Sequence, residues 1–237
     1  VRIWDVSDPN KLPGAAREPA DAHAAGVTAV AVTPDGKYAA TAAGREVFVW
    51  DVAAAKKLYA LPAEHRDTIT SVAFTPESKL VTASKDRTLK VWRLGADKAA
   101  VARTIDHRSG TVDVPGLSPD GGRVLFDQDK GRLDLVNLAD GQTVGQLANV
   151  GPGVAFAGLG LFAPDSGAMP DRYTIVTAGD GDLRGALQVW QVPKGGGRGA
   201  EIARRLTPGR VAVTCAAFSP HKDARFLVVG TAAGTVH

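Results

Sequence analysis

The sequence predicts an all-β protein, a β-propeller of four-stranded antiparallel blades with about five blades' worth of chain. Two recurrences predict it. A Trp closes a short apolar run at VRIW (1–4), VFVW (47–50), LKVW (89–92) and LQVW (187–190), and LDLV (133–136) has the same shape with Val136 in place of Trp. Successive runs are 46, 42, 44 and 54 residues apart. Between them recurs a Pro-containing turn: TPDG (33–36), TPES (75–78), SPDG (118–121), APDSG (163–167) and SPH (219–221). Pro presets φ at the first corner of such a turn, Asp or Ser accepts local backbone hydrogen bonds, and Gly tolerates positive φ.

Short β-rich runs flank each turn, so each reads as a hairpin. First strands are expected at 28–32, 70–74 and 213–217, with shorter pieces at 116–118 and 161–163. Second strands follow at 38–42, 80–84, 123–126, 173–177 and 226–229. The Trp runs are third strands. Fourth strands are weaker and fall at 57–61, 101–105, 143–147 and 202–206. The first three strands of each unit are apolar along nearly their whole length, which means burial on both faces. Ala29, Ala31, Ala42, Ala73, Ala83 and Ala178 supply small side chains where neighbouring sheets approach. Radially stacked sheets meet both demands. No window holds a helical period.

Composition is compatible with one repeat-built domain spanning 1–237, with units near 1–22 (partial), 23–64, 65–106, 107–148, 149–206 and 207–237 (partial). Of 237 residues, 44% are hydrophobic, enough for a substantial core. The 28 basic and 25 acidic residues are interspersed, so the net charge of +3 does not point to nucleic acid. No run of 18 apolar residues exists, so no membrane-spanning helix is expected. The single Cys215 lies in an apolar run and is expected to be buried and inert.

These motifs resemble the WD-repeat β-propeller family. The resemblance rests on Trp4-Asp5 and Trp50-Asp51 as the name-giving dipeptide, on Trp190 as a further repeat signature, on the Pro-Asp-Gly turns, and on a His ahead of first strands. The alanine-rich wording is similar to bacterial members. The resemblance implies the fold and, in general terms, a scaffold that binds proteins. It also implies a structural network joining the His to a Ser or Thr on the second strand, an Asp in the turn before the third, and the Trp. His23, His65 and His107 recur at intervals of 42. The second full repeat supplies every part: His65, Ser84 or Thr82, Asp86 and Trp92. The first lacks the Asp in its Ala43-Gly44-Arg45 turn. The third has Asp129 one place off, Lys130 at the expected position, and Val136 for Trp. The fourth has Asp180 and Asp182 but no preceding His, and the fifth lacks both groups. The network is therefore expected in one blade only. A buried imidazole needs both nitrogens satisfied and an indole N–H needs an acceptor, so the structural role is sound physically.

Metal and catalytic readings find little support. The histidines lack neighbouring ligands at metal spacing, and no nucleophile or paired acid adjoins them. His221 and His237 are assigned no role. Asp180-Gly181-Asp182 begins like a calcium loop without its later ligands and reads as a polar turn. Gly151–Gly153 and Gly158–Gly160 read as an enlarged loop, and Gly195–Gly197 with Arg198 as a flexible surface connection.

Two function classes remain: a non-catalytic interaction scaffold, and a propeller enzyme or small-ligand or metal binder using the central channel. First strands line that channel and carry no carboxylate or imidazole at 28–32, 70–74 or 213–217, which favours the scaffold. No cofactor is expected. The loops joining blades and the turns before third strands share one rim, expected to carry Arg45, Arg66, Asp67, Lys85, Arg87, Arg108, Lys130 and Arg184. This modestly positive face suits an acidic peptide or protein partner. The ends lie at related repeat positions, so the chain is expected to be a fragment of a longer array with other blades or modules attached. A cytoplasmic location is favoured over an exported one.

Overall fold

The structure, a computed structural model, describes residues 1–4, 16–95, 98–106, 116–128, 132–148, 154–164, 170–181, 184–219 and 226–236. It is all-β, built from antiparallel blades of the β-propeller class. By chain contacts it divides into two compact units, Val1–Ile105 and Asp106–His237. The boundary falls where the second repeat ends.

The first unit holds two blades. Blade 1 is β1 (Ala29–Val32), β2 (Tyr38–Ala43), β3 (Glu46–Asp51) and β4 (Lys56–Ala60), and blade 2 is β5 (Ile69–Phe74), β6 (Leu80–Ser84), β7 (Thr88–Leu94) and β8 (Ala99–Asp106). Each is a sheet in sequence order, with antiparallel neighbours. Their facing sides form one core: Ala40, Ala42, Val47 and Val49 of blade 1 meet Ile69, Val72, Phe74 and Leu80 of blade 2. Ala42 and Ala83 are fully buried, as close sheet packing requires. Hydrogen bonds stitch the two blades: the Ile69 N–H donates to the Gly44 carbonyl at 2.7 Å, and the Thr28 hydroxyl donates to the Ile69 carbonyl at 2.9 Å.

The second unit continues with blade 3, from β9 (Arg123–Gln128), β10 (Arg132–Asn137) and β11 (Thr143–Ala148). Blade 4 has β12 (Val154–Phe162), β13 (Arg172–Gly181), β14 (Ala186–Pro193) and the outer strand β16 (Ala200–Leu206), while the two-residue β15 (Gly197–Arg198) joins the edge of blade 3 as its fourth strand. Blade 5 is the pair β17 (Val213–Phe218) and β18 (Leu227–Thr231), with a bridge from Gly230 to Val236. Leu125, Leu133, Leu135 and Leu147 of blade 3 pack on Tyr173, Ile175, Trp190 and Val192 of blade 4. Ala178 of blade 4 packs on Val213 and Val229 of blade 5.

Five expectations need correction. The run 195–197 is not a flexible connection: β15 lies parallel to β11, with Gly145 opposite Gly197 and Gln146 opposite Arg198. Gly196 is demanded by closeness, since a Cβ there would stand 2.4 Å from the Val144 carbonyl oxygen, and across the pairing a Cβ on Gly145 would stand 2.7 Å from the carbonyl oxygen of Gly197. Residues 158–160 are also not loop. They lie within β12, where a Cβ on Gly116 would meet the Gly160 carbonyl oxygen at 2.5 Å, so these two glycines let blades 3 and 4 approach. Residues 116–118 form only a bridge, Leu117 to Val124, rather than a first strand. First strands are not all buried on both faces: β1 alternates, with Val30 65% exposed, because one side of blade 1 has no covering layer among the described residues. Cys215 is exposed rather than buried, beside a register shift in the two-stranded sheet of blade 5.

Gly145→Ala is expected to break the β11–β15 pairing and cost about 1–3 kcal/mol in urea unfolding of the second unit, as overpacking does. Gly122→Ala, whose added Cβ meets nothing nearer than 3.5 Å, is expected to leave the midpoint nearly unchanged.

Candidate functional site

Blade 2 builds a closed relay from its interior to its loop rim. The Trp92 indole N–H donates to the Thr82 hydroxyl at 2.9 Å. That hydroxyl lies 2.7 Å from His65 Nε2 and donates to it, which leaves the ring proton on Nδ1 facing the Asp86 carboxylate at 3.0 Å. Asp86 also accepts from the Arg66 N–H at 2.7 Å, the Thr88 N–H at 2.9 Å and the Thr88 hydroxyl at 2.7 Å. Local sequence explains the placement. Thr82 and Trp92 sit on neighbouring strands β6 and β7, while Asp86 and Thr88 frame the tight turn between those strands. The structure thus groups His65, Thr82, Asp86 and Trp92. Ser84 stands beside them, donating to the Asp67 carbonyl at 2.9 Å and accepting from the Asp86 N–H.

Part of the relay recurs outside blade 2, although among the described residues only blade 2 hydrogen-bonds its histidine to a carboxylate. In blade 1 the Trp50 N–H donates to Thr41 at 2.8 Å, and Thr41 lies 2.7 Å from His23 Nε2. Here Glu46, at the start of the third strand, replaces the turn Asp, though its oxygen stands 3.6 Å from His23 Nδ1. Nδ1 has no hydrogen-bond partner, and the ring stacks on Phe48 at 4.0 Å. In blade 4 the Trp190 N–H donates to Thr177 at 2.9 Å. Thr41, Thr82 and Thr177 thus repeat as one position, opposite Phe48, Lys90 and Gln188 on the third strand. In blade 3 that position is Phe126, opposite Asp134 and 0% exposed, beside Val136. The aromatic ring has moved from the third strand to the second, and the hydroxyl has gone with the indole it served. Comparing the strands position by position finds this exchange, whereas tracking the Asp does not.

Burial lowers the pKa of both His65 and His23, against the raising effect of Asp86 and Glu46 respectively. Burial pushes the Asp86 carboxyl up, but the hydrogen bonds it accepts from Thr88, Arg66 and His65 win and hold it at about 2.

The remaining expected residues separate into three groups. Trp50 is 0% exposed, but Trp4 is 49% exposed, because no described strand beside it offers a threonine or a covering face. Asp51 accepts from the Ala54 N–H at 2.7 Å and shapes the β3–β4 turn. Asp5, Arg108 and Lys130 lie outside the described residues, as do His107, Asp129 and Asp182. On the loop rim of the first unit, Arg45, Arg66, Asp67, Lys85 and Arg87 are exposed. The rim loops are knitted together: Arg45 Nε donates to the His65 carbonyl at 2.8 Å, and the Lys85 N–H donates to the Thr68 carbonyl at 2.9 Å. Arg184 is exposed in the second unit. Among the described residues, no group of three His, Cys, Asp or Glu side chains is placed to hold a metal ion.

Residues 19–51 and 56–93 match the family model described as WD domain, G-beta repeat. Both matches fall in the first unit and take in the two relays. No curated protein matches the chain. Together with the four four-stranded sheets, the two matches support a WD-repeat propeller.

The two histidines give stability a defined pH dependence. A depressed native pKa means that the unfolded chain takes up a proton first as pH falls through 6.5, so stability is expected to be full above pH 7 and to fall below 6.5. Asp86 adds a second loss as pH falls from 3.8 towards 2. Urea midpoints against pH measure both limbs, and the His65 ring protons are expected to titrate below 6.5, and lower still in Asp86→Asn.

Proposed function

We propose that this chain is a non-catalytic interaction scaffold that docks an acidic peptide or protein partner on the loop rim of blades 1 and 2. The observation that carries the reading is an imbalance of commitment among the rim charges. The innermost rim carboxylate, Asp86, is occupied by the His65 ring and the Arg66 backbone N–H, and Asp67 accepts from the Thr68 N–H at 2.6 Å, while Glu46 and Glu64 stay exposed beside the basic side chains. Arg66, Lys85 and Arg87 have no ion-pair partner among the described residues. Their exposed side chains stand on backbone that the relay holds still, which lowers the ordering cost of binding. Arg is suited to bidentate capture of carboxylates.

Arg87 adds a second support. Its φ is +67°, a left-handed conformation that Gly adopts more readily than a branched residue. Backbone strain of this kind at an exposed tip is consistent with a side chain kept for contact.

The double variant Arg66→Glu, Arg87→Glu is expected to lose capture of the partner at least about 10-fold, as truncation of interface arginines does, while keeping its fold. Pull-down with identification of the retained protein measures this, and capture equal to the parent's would overturn the reading. Arg87→Gly is expected to weaken capture while stabilising the first unit by about 1 kcal/mol, since it relieves the positive φ.

A further inference from the structure

Blades 1 and 2 part at the end away from the Arg-bearing loops. Between them opens a cleft of about 340 Å³, lined by Tyr38, Leu58 and Tyr59 of blade 1 and by Glu77 and Leu94 of blade 2, with Thr33 at its edge. Its walls mix the apolar side chains of Val49, Leu58 and Leu94 with hydroxyls and the Glu77 carboxylate. Tyr38 and Leu58 are each about 40% exposed. We propose that this cleft takes the side chain of an arginine from an extended segment of a partner protein.

The polar groups of the cleft select that chemistry. Thr33 and Tyr59 have already committed their protons. The Tyr59 hydroxyl donates to the Gly95 carbonyl at 3.1 Å, and the Thr33 hydroxyl donates to an Asp35 oxygen at 2.6 Å. Burial raises the Tyr59 pKa, so its proton stays in place at neutral pH. The Tyr59 hydroxyl therefore offers a lone pair, the Tyr38 and Ser78 hydroxyls can donate or accept, and Glu77 accepts only, so the preference for a cationic donor rests on Glu77. Glu77 disfavours an anionic occupant. It also holds a cation already, since Lys79 Nζ sits 2.5 Å from its Oε2. Both of these side chains are widely exposed, and an exposed pair of this kind exchanges readily. A guanidinium can replace the ammonium with two parallel hydrogen bonds, stack on a tyrosine face, and lay its stem along Leu58 and Leu94. Lysine matches the charge without the planar fork.

This inference goes beyond the loop-rim reading, and the two call for opposite charges in their occupants. The test uses the blocked tripeptide acetyl-Gly-Arg-Gly-amide and three companions with citrulline, norleucine or Glu in the middle. Each is titrated into the full chain while the ring signals of Tyr38 and Tyr59 are followed by NMR. The Arg peptide is expected to shift both tyrosines, with citrulline binding at least about fivefold more weakly because it keeps the shape and loses the charge. Glu77→Gln is expected to bring the Arg peptide down to the citrulline level, and Lys79→Ala to tighten it about twofold by freeing the carboxylate. The proposal is overturned if norleucine binds as well as Arg, if Glu77→Gln leaves the Arg titration unchanged, or if neither tyrosine responds at about 10 mM peptide, a limit set by the weak affinity of so small a ligand. Repeating the titration on Arg66→Glu, Arg87→Glu is expected to give the parent's curve, so failure of the rim reading is distinguishable from failure of this one.

Discussion

A threonine hydroxyl under an indole N–H is the contact on which the blade interiors depend. It occurs in three sheets, as Thr41 with Trp50, Thr82 with Trp92, and Thr177 with Trp190. Trp is the largest apolar surface a third strand can bury, but its N–H is costly to bury without an acceptor. A threonine on the neighbouring second strand solves this with one atom, and that atom still has a proton to donate. In blades 1 and 2 the proton goes to a histidine, which ties the interior to the loop leading into the first strand. Blade 3 shows the same constraint from its other side. With Val136 in place of the indole, no acceptor is needed, and the threonine position is filled by Phe126.

From that interior the loop rim inherits its rigidity. His65 and Asp86 fix the backbone of Arg66 and Thr88, and the Gly44 and Thr68 carbonyls bind the neighbouring turn and strand. Rigid loops on a stacked-sheet frame are a common setting for recognition. The two ends of the first unit differ in chemistry. One presents the exposed Arg66, Lys85 and Arg87 around the buried Asp86, while the other presents a carboxylate and two phenols beside Leu58 and Leu94.

Much of this was legible in the sequence, because period and turn chemistry are local. The hairpins, the third strands and the outer strands fall within a few residues of their expected places, and the His65, Thr82, Asp86 and Trp92 grouping is the one the family resemblance implies. Less legible were features set by partners distant in the chain. β15 reads as a tether because nothing local says that Val144 and Gly145 will lie against it. Gly158 to Gly160 reads as a loop because the close approach of Gly116 is a tertiary fact. Cys215 and Val30 read as buried because apolar composition does not say whether a further layer covers that face. The blade 1 arrangement escapes notice because it ends at His23, with no Asp in the turn and Glu46 standing 3.6 Å away.

The most direct test is a double-mutant cycle on Thr82→Val and Trp92→Phe, read as the unfolding free energy of the first unit. Thr82→Val keeps the shape but leaves both the indole N–H and His65 Nε2 without their partner, so a loss of about 2–4 kcal/mol is predicted. In the Trp92→Phe background the same change is predicted to cost at least about 1 kcal/mol less, because the indole N–H is already gone. Equal costs in the two backgrounds, or no cost for Thr82→Val alone, would contradict the account.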